Sequence, residues 1–128
     1  MIGLDTSVLV RLLIGQPADQ AAAARRLLEE AIAAGEPVIA SDLVVAEAYY
    51  ALRHHYGVPD DVARAQLGAL LDSGLLETDP PKLSRATRAP PPPGLVDRLI
   101  QSRYSQLGAV TRTFDKALAR TEHCLLVR

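Results

Sequence analysis

Four acidic residues stand where their carboxylates could bind a ligand. Asp5 lies between a short apolar run and the start of a helical pattern, and Asp115 lies between a later apolar run and another helical pattern. Glu47 is the only charged residue between positions 43 and 52, and Asp97 lies in the first turn of a predicted helix. Because ligands of parallel α/β sheets bind at the carboxyl ends of the strands, all four acids could face one edge of such a sheet.

Each acid also has an ordinary structural explanation. An aspartate directly before a helix often caps it, as Thr6 or Ser7 could also do for the first helix. Glu47 is expected on a helix face with apolar neighbours, where a carboxylate is costly unless it meets a cation such as an arginine. Asp97 could simply interact favourably with the dipole of its helix. The four placements together favour a ligand site over four separate structural roles.

Clustered carboxylates repel one another, and such a cluster is stabilised mainly by a bound cation. Oxygen ligands select Mg²⁺, with Mn²⁺ as the alternative, rather than zinc. A cation held in this way can activate water and offset charge on a phosphodiester under attack. Cys124 is the only cysteine, which excludes an internal disulfide framework and a cysteine-based zinc site. His54-His55 and His123 lack the partners that a histidine-based catalytic or metal site needs.

The elements that must hold these acids alternate between strands and helices along the chain. This alternation predicts an α/β domain with a short, mainly parallel sheet flanked by helices. The predicted strands cover residues 2–4, 37–40, 75–78, 109–111 and 125–127. The predicted helices begin near residues 6, 18, 42, 60, 95 and 115.

Two segments near Asp97 have their own predictions. Six prolines between residues 80 and 94 predict a stiff, partly extended connection inside the domain, because proline cannot sustain a helix. The helix that follows, from about Leu95 to Leu107, is expected to carry Asp97 on the flank of its buried stripe. That stripe is predicted to consist of Val96, Leu99, Ile100, Arg103 and Leu107.

Length and composition predict one domain over residues 1–128 with an aliphatic core. The chain is 48% hydrophobic and 23% charged, values that argue against disorder and against a membrane span. Its first residues lack the positive region of a signal peptide, so a cytoplasmic location is expected.

The net charge of −1 is unevenly distributed. Residues 1–80 carry 5 basic and 12 acidic residues, a net charge of −7, whereas residues 81–128 carry 9 basic and 3 acidic residues, a net charge of +6. Since Asp97 and Asp115 lie within the basic part, nearby cations could contact substrate phosphates. The candidates are Arg98, Arg112 and Lys116.

Four segments resemble, in order and spacing, the motifs of PIN-domain ribonucleases, and more specifically of VapC-type toxins of toxin–antitoxin pairs. The first is Ile-Gly-Leu-Asp-Thr-Ser-Val-Leu, which contains Asp5 and Ser7, and the second is Ser-Asp-Leu-Val-Val-Ala-Glu, which ends at Glu47. The third, Leu-Val-Asp-Arg-Leu-Ile, contains Asp97, and the fourth, Thr-Arg-Thr-Phe-Asp-Lys-Ala-Leu, contains Asp115.

The resemblance implies a PIN-like three-layer sandwich and Mg²⁺-dependent endonuclease activity on RNA. It also implies homodimers and a cognate antitoxin protein that blocks the site. Asp5 and Asp97 would be the principal metal ligands, while Glu47 and Asp115 would complete the acidic pocket, partly through water. The supporting hydroxyl groups would be those of Ser7 and Thr113.

Two alternatives stay open at this point. Many members of the family carry further acids where this chain has Gly94 and Ala117, so a catalytically weakened PIN domain that only binds RNA or a protein is one alternative. The other is a phospho-acceptor receiver domain, which also uses Mg²⁺ and strand-end acids. That class needs an acidic pair after the first strand and a lysine at the end of a late strand, whereas Asp5 is unpaired and Lys116 follows Asp115 on a predicted helix.

Overall fold

The computed structural model describes residues 1–128 and contains five short strands and seven helices. The strands are β1 (Ile2–Gly3), β2 (Val38–Ser41), β3 (Glu77–Asp79), β4 (Thr111–Thr113) and β5 (Cys124–Leu126). The helices are α1 (Thr6–Ile14), α2 (Ala18–Ala33), α3 (Asp42–Tyr50), α4 (Asp60–Leu71), α5 (Ser84–Arg88), α6 (Leu95–Gln106) and α7 (Lys116–Ala119).

The strands form two separate parallel sheets. β2 lies between β1 and β3 in a three-stranded sheet, with Ile2 opposite Val38 and Ser41 opposite Asp79. β4 pairs only with β5. The predicted α/β class with short parallel strands flanked by helices is confirmed, but the strands divide into two ladders instead of one.

Several element boundaries follow from side-chain caps. The carboxylate of Asp5 accepts hydrogen bonds from the backbone N–H groups of Ser7 and Val8, so Asp5 caps α1, and the suggestion that Thr6 or Ser7 does so is wrong. The Ser41 hydroxyl accepts a bond from the Val44 N–H and caps α3, as expected for a serine at this position. Gly15 ends α1 with a φ of 77°, a left-handed conformation that glycine adopts without steric cost.

The core is purely aliphatic. Its buried cluster of 18 residues contains only leucine, valine and alanine, and joins β1 and β2 to helices α1–α6. The largest fully buried side chains are Leu9, Leu28, Val45, Leu52, Leu67, Leu83 and Leu95. Burying one such leucine side chain contributes roughly 2 kcal/mol relative to leaving it exposed. The core therefore fixes α3 and α6, which carry Glu47 and Asp97, and α1, which Asp5 precedes.

The proline-rich connection contains a helix that its sequence did not predict. α5 lies between Pro81 and the run of prolines from 90 to 93, so the segment is not extended throughout. Leu83 and Ala86 are buried there, which explains why the short helix forms despite the flanking prolines. The prolines confine the helix to five residues but do not prevent it.

The helix that begins at Asp42 does not keep α-helical hydrogen bonding to its end. It changes to a π-helical segment over Ala51–His55, in which the Arg53 side chain donates a hydrogen bond to the Val58 carbonyl oxygen at 3.0 Å. Strand β4 lies two residues later in the chain than its predicted start, because Thr111 and not Ala109 pairs with Cys124.

The predicted buried stripe of α6 is wrong in most positions. Leu95 and Leu99 point into the core, whereas Val96 and Ile100 are 44% and 43% exposed. Leu107 is exposed as well, and Arg103 makes ion pairs. The apolar residues of α6 do follow a helical period. However, α6 carries more apolar residues than the core buries, so some of them are exposed. No helix in the structure is both long and apolar enough to cross a membrane.

Candidate active site

Asp5 is an exposed carboxylate fixed by its own helix. Its Oδ1 accepts hydrogen bonds from the Ser7 hydroxyl at 2.6 Å, the Ser7 N–H at 3.0 Å and the Val8 N–H at 3.3 Å. These donors, led by the Ser7 hydroxyl, lower the pKa of Asp5 below its ordinary value. All three bonds involve one oxygen, so Oδ2 has no protein hydrogen-bond partner. Ser7 thus holds Asp5 ionised and oriented.

Glu47 lies next to the helix start that Asp5 caps. The Thr6 hydroxyl donates a hydrogen bond to Glu47 Oε2 at 3.1 Å, which joins the first turn of α1 to the middle of α3. Glu47 shares its helix face with apolar residues, as expected, but its side chain is exposed and its protein partner is a hydroxyl group, not an arginine. The sequence indicates Thr6 only as a possible helix cap, and it does not predict this contact with Glu47. The one sequence feature that could have indicated it is the position of Thr6 directly after Asp5.

Asp97 lies in the first turn of α6 and is half-buried. Its carboxylate makes no hydrogen bond and no ion pair with any other part of the protein. Removing its charge therefore breaks no hydrogen bond or ion pair and costs only a favourable interaction with the helix dipole of about 0.3–1 kcal/mol.

Asp115 caps α7 on the two-stranded sheet. Its Oδ1 accepts hydrogen bonds from the backbone N–H groups of Ala117 at 2.8 Å and Leu118 at 3.2 Å, which leaves Oδ2 free. The Thr113 hydroxyl accepts a bond from the Asp115 backbone N–H at 2.9 Å. Thr113 therefore shapes the turn before Asp115 and does not touch its carboxylate.

The four acids suit a divalent cation in the chemistry of their ligand atoms. Each of the four carboxylates keeps at least one oxygen free of protein hydrogen bonds, and oxygen donors of this kind suit Mg²⁺. Still, no three acidic, histidine or cysteine side chains lie close enough together to hold a metal ion. Asp5 and Glu47 are linked through Thr6, whereas no hydrogen bond or ion pair links Asp97 or Asp115 to that pair. Metal binding would require these side chains to draw together.

A second group of acids occupies the same edge of the three-stranded sheet. Asp42 directly follows β2, and Asp79 is the last residue of β3. Arg103 of α6 donates hydrogen bonds to Asp42 Oδ1 at 2.8 Å and Oδ2 at 2.9 Å, and it contacts Asp79 Oδ2 at 3.4 Å. This pairing lowers the pKa of Asp42 and raises that of Arg103. No sequence pattern indicates this network, because its partners are 61 and 24 residues apart.

The three predicted phosphate-binding cations have different surroundings. Arg98 donates hydrogen bonds to the carbonyl oxygens of Pro90 at 2.8 Å and Pro93 at 3.2 Å, so it fixes the second proline run against α6. Arg112 lies exposed on β4 and donates to the Leu126 carbonyl oxygen at 3.4 Å. Lys116 is exposed at the start of α7 and makes no ion pair.

Comparisons with known proteins give one family. The model of the PIN domain matches residues 2–123, nearly the whole chain, including all four candidate acids. A comparison with curated proteins finds no match, and a comparison with solved structures finds none either. The α/β fold and this match agree, and the chain belongs to the PIN domain family.

Proposed function

We propose that this protein is a metal-dependent endoribonuclease, and that it is the toxin of a type II toxin–antitoxin pair. The family match over residues 2–123 carries the first part, because PIN domains are generally metal-dependent nucleases that act on RNA. The resemblance of the four acidic motifs to those of VapC-type toxins supports the second part. The cation would be Mg²⁺, with Mn²⁺ as the alternative.

The chain itself would supply the ligands and their orientation. Asp5 and Asp97 would hold the cation, and Glu47 and Asp115 would complete the acidic pocket, partly through water. When bound, the cation would lower the pKa of a water molecule and offset charge on the phosphate. Ser7 would keep Asp5 ionised by its 2.6 Å hydrogen bond, and Thr6 would hold Glu47 beside it.

Partners follow from the same proposal. RNA is the substrate, and an antitoxin protein would cover the acidic pocket. We also propose a homodimer that forms through the exposed apolar face of α3 and α6. That face surrounds a cleft of about 300 Å³ lined mostly by apolar side chains, among them Leu43, Val96, Ile100 and Tyr104.

Asp97→Asn provides the cleanest test of the nuclease. Its carboxylate has no protein partner, so the variant should fold as the wild type does while RNA cleavage in Mg²⁺ falls by at least about 100-fold. Asp5→Asn should lose cleavage as well, and asparagine caps helices about as well as aspartate, so α1 should be retained. The measurement is the rate at which labelled single-stranded RNA is cut, with circular dichroism as a check on folding.

Asp61→Asn is the matched control, because Asp61 is an exposed acid in the first turn of α4 and lies outside the four motifs. It should cut RNA at the wild-type rate. Wild-type protein that binds RNA without cutting it would contradict the proposal and support the alternative of a catalytically weakened PIN domain. Cleavage that persists in both Asp97→Asn and Asp5→Asn would place the activity elsewhere or in a contaminant.

A further inference from the structure

A basic groove lies beside α6. Its volume is about 580 Å³. It is bounded by Pro80 and Pro81, by helices α5 and α6, and by the turn after α7. Three cations line it, Lys82, Arg85 and Arg98, against one acid, Glu122. The Glu122 side chain is 83% exposed and its carboxylate lies 3.4 Å from His123 Nε2. The charged side chains that line the groove therefore carry a net charge of +2.

Both walls of the groove are held by hydrogen bonds. On one side, the Thr78 hydroxyl donates to the Pro80 carbonyl oxygen at 2.7 Å and accepts from the Leu83 N–H at 3.2 Å. These bonds enclose Lys82, whose φ of 63° is a left-handed conformation that is unusual for a residue with a side chain. On the other side, the Gln101 side chain donates to the Glu122 carbonyl oxygen at 2.8 Å.

The other basic residues of this region are already occupied. Arg88 forms an ion pair with Asp72, and Arg103 is bound by Asp42 and Asp79. In contrast, the side chains of Lys82 and Arg85 make no hydrogen bond or ion pair within the protein. They are free to contact an anion.

The lining distinguishes between classes of polyanion. Apart from prolines, its only apolar residues are Ala86 and Ala89, too small to anchor an amphipathic peptide helix. The rest of the lining offers amide and hydroxyl groups, which form hydrogen bonds with phosphate and ribose oxygens. These come from Gln101, Ser102, Ser105, Gln106 and Thr121. No aromatic side chain is present for base stacking, so the groove suits a nucleic-acid backbone and not its bases.

The groove leads to one of the candidate acids. Asp97, Gln101 and Ser105 are spaced four residues apart and therefore form one row along α6. Gln101 and Ser105 line the groove, and Asp97 lies at the N-terminal end of the row, about 6 Å along the helix axis from Gln101. A strand bound in the groove would thus pass toward Asp97.

We propose that this groove binds the phosphate backbone of single-stranded RNA, without base selectivity, and leads the strand toward Asp97. The inference rests on the proposed RNA substrate but not on cleavage. Lys82 and Arg85 each neutralise a phosphate, and Arg98, which is held by the carbonyl oxygens of Pro90 and Pro93, adds its charge to the groove.

The test measures binding in the absence of divalent cations, so that no RNA is cut. The probe is a fluorescent oligouridine of roughly 12 nucleotides, a length within the range that single-strand sites cover. In Lys82→Gln/Arg85→Gln, affinity should fall several-fold, and the slope of log K against log salt should flatten by about 1.4, or about 0.7 for each phosphate that is no longer neutralised. Each single variant should show about half of that change in slope. Oligoadenosine and oligocytidine should give the same slopes as oligouridine.

Arg25→Gln/Arg26→Gln is the matched control, because it removes the same charge from two exposed arginines of α2 that have no ion pair. It should keep the wild-type affinity and slope. The proposal is overturned if the groove variant keeps them too, or if the control weakens binding as much as the groove variant does. Polyglutamate serves as a second polyanion, and the proposal is also overturned if the wild-type protein binds it and the groove variant loses that binding while it still binds RNA. RNA binding that depends on the groove in a protein that cuts no RNA would leave this inference standing and contradict only the nuclease.

Discussion

Arg103 shows how one side chain connects the supports of two candidate acids. It lies on α6, the helix that carries Asp97, and it binds Asp42, the first residue of the helix that carries Glu47. A contact with Asp79 adds the end of β3. Sequence periodicity assigned Arg103 to a buried apolar stripe, since a helical pattern says nothing about carboxylates brought close by the sheet.

The Asp42–Arg103 pair makes stability depend on pH in the acid range. The hydrogen bonds from Arg103 hold the pKa of Asp42 below its ordinary value of 3.8 in the folded protein. A carboxyl group with a lowered folded pKa stabilises the fold above its unfolded pKa, and that stabilisation is lost as pH falls through the folded value. We expect the free energy of unfolding to fall by about 1 kcal/mol from this pair between about pH 5 and pH 2, since the pair is partly exposed. Urea unfolding at a series of pH values measures it.

Asp42→Asn should be less stable than the wild type at pH 7 and should lose less stability on acidification. Asp60 also has a lowered pKa, mainly through the Tyr49 hydroxyl, so some dependence on pH should persist in that variant. Asp61→Asn, which breaks no ion pair, should follow the wild-type curve. An Asp42→Asn curve parallel to that of the wild type would show that the pair does not contribute.

At the scale of elements, α4 and α5 approach each other through a glycine. A Cβ placed on Gly68 would lie 2.6 Å from the Thr87 hydroxyl oxygen, too close for any real contact. Thr87 is 2% exposed and donates a hydrogen bond to the Ser84 carbonyl oxygen at 2.6 Å, so its side chain cannot move aside freely. Gly68 therefore sets how closely α5 packs, and with it one wall of the basic groove.

Gly68→Ala should destabilise the protein by about 1 kcal/mol, although alanine normally stabilises a helix interior by about the same amount relative to glycine. The reason is overpacking, which costs typically 1–3 kcal/mol. The double variant Gly68→Ala/Thr87→Ala should be more stable than the sum of the two single changes predicts, because the clashing oxygen is gone. Thermal unfolding of all four proteins gives the coupling energy, and simple additivity would show that a clash with Thr87 is not the cause of the destabilisation.

Elements were predictable where local signals suffice. The helix from Asp60 to Leu71 and the cap at Ser41 follow from residues within one or two turns. Helix α5 and the π-helical turn at 51–55 were not predictable from local signals. Burial of its side chains stabilises α5, and the π-helical turn is accompanied by the hydrogen bond from Arg53 to the Val58 carbonyl oxygen. The division of the strands into two sheets depends on pairing between distant residues, which alternation along the chain does not reveal.

Across the whole molecule, surface chemistry changes from one side of α6 to the other. One side faces the basic groove, and the other carries Val96, Ile100 and Tyr104 around the apolar cleft. The acidic N-terminal part and the basic C-terminal part of the sequence are thus only partly separate on the surface of the protein. Its C-terminal cations line a groove, but some of its arginines, Arg103 above all, are bound by acids of the N-terminal part.

The proposed homodimer gives a prediction at this scale. Ile100→Glu should convert a dimer into a monomer, because a carboxylate would be buried in an apolar interface without a partner. Ile100 is 43% exposed in the single chain, so the change should leave the fold intact. Sedimentation equilibrium measures the mass.

Val62→Glu is the control, since Val62 is 41% exposed on α4 and lies outside the cleft. It should remain dimeric. A wild-type protein that sediments as a monomer would contradict the homodimer, as would an Ile100→Glu protein that keeps the wild-type mass.

The separate β4–β5 ladder makes the lone thiol a natural reporter. Cys124 is 6% exposed and lies opposite Thr111, and no residue of either strand belongs to the main core cluster. A thiol reagent can reach Cys124 only when this small sheet opens, which need not require the core to unfold. The labelling rate of the unmodified protein therefore times the opening of the strand that precedes Asp115, without any engineered probe.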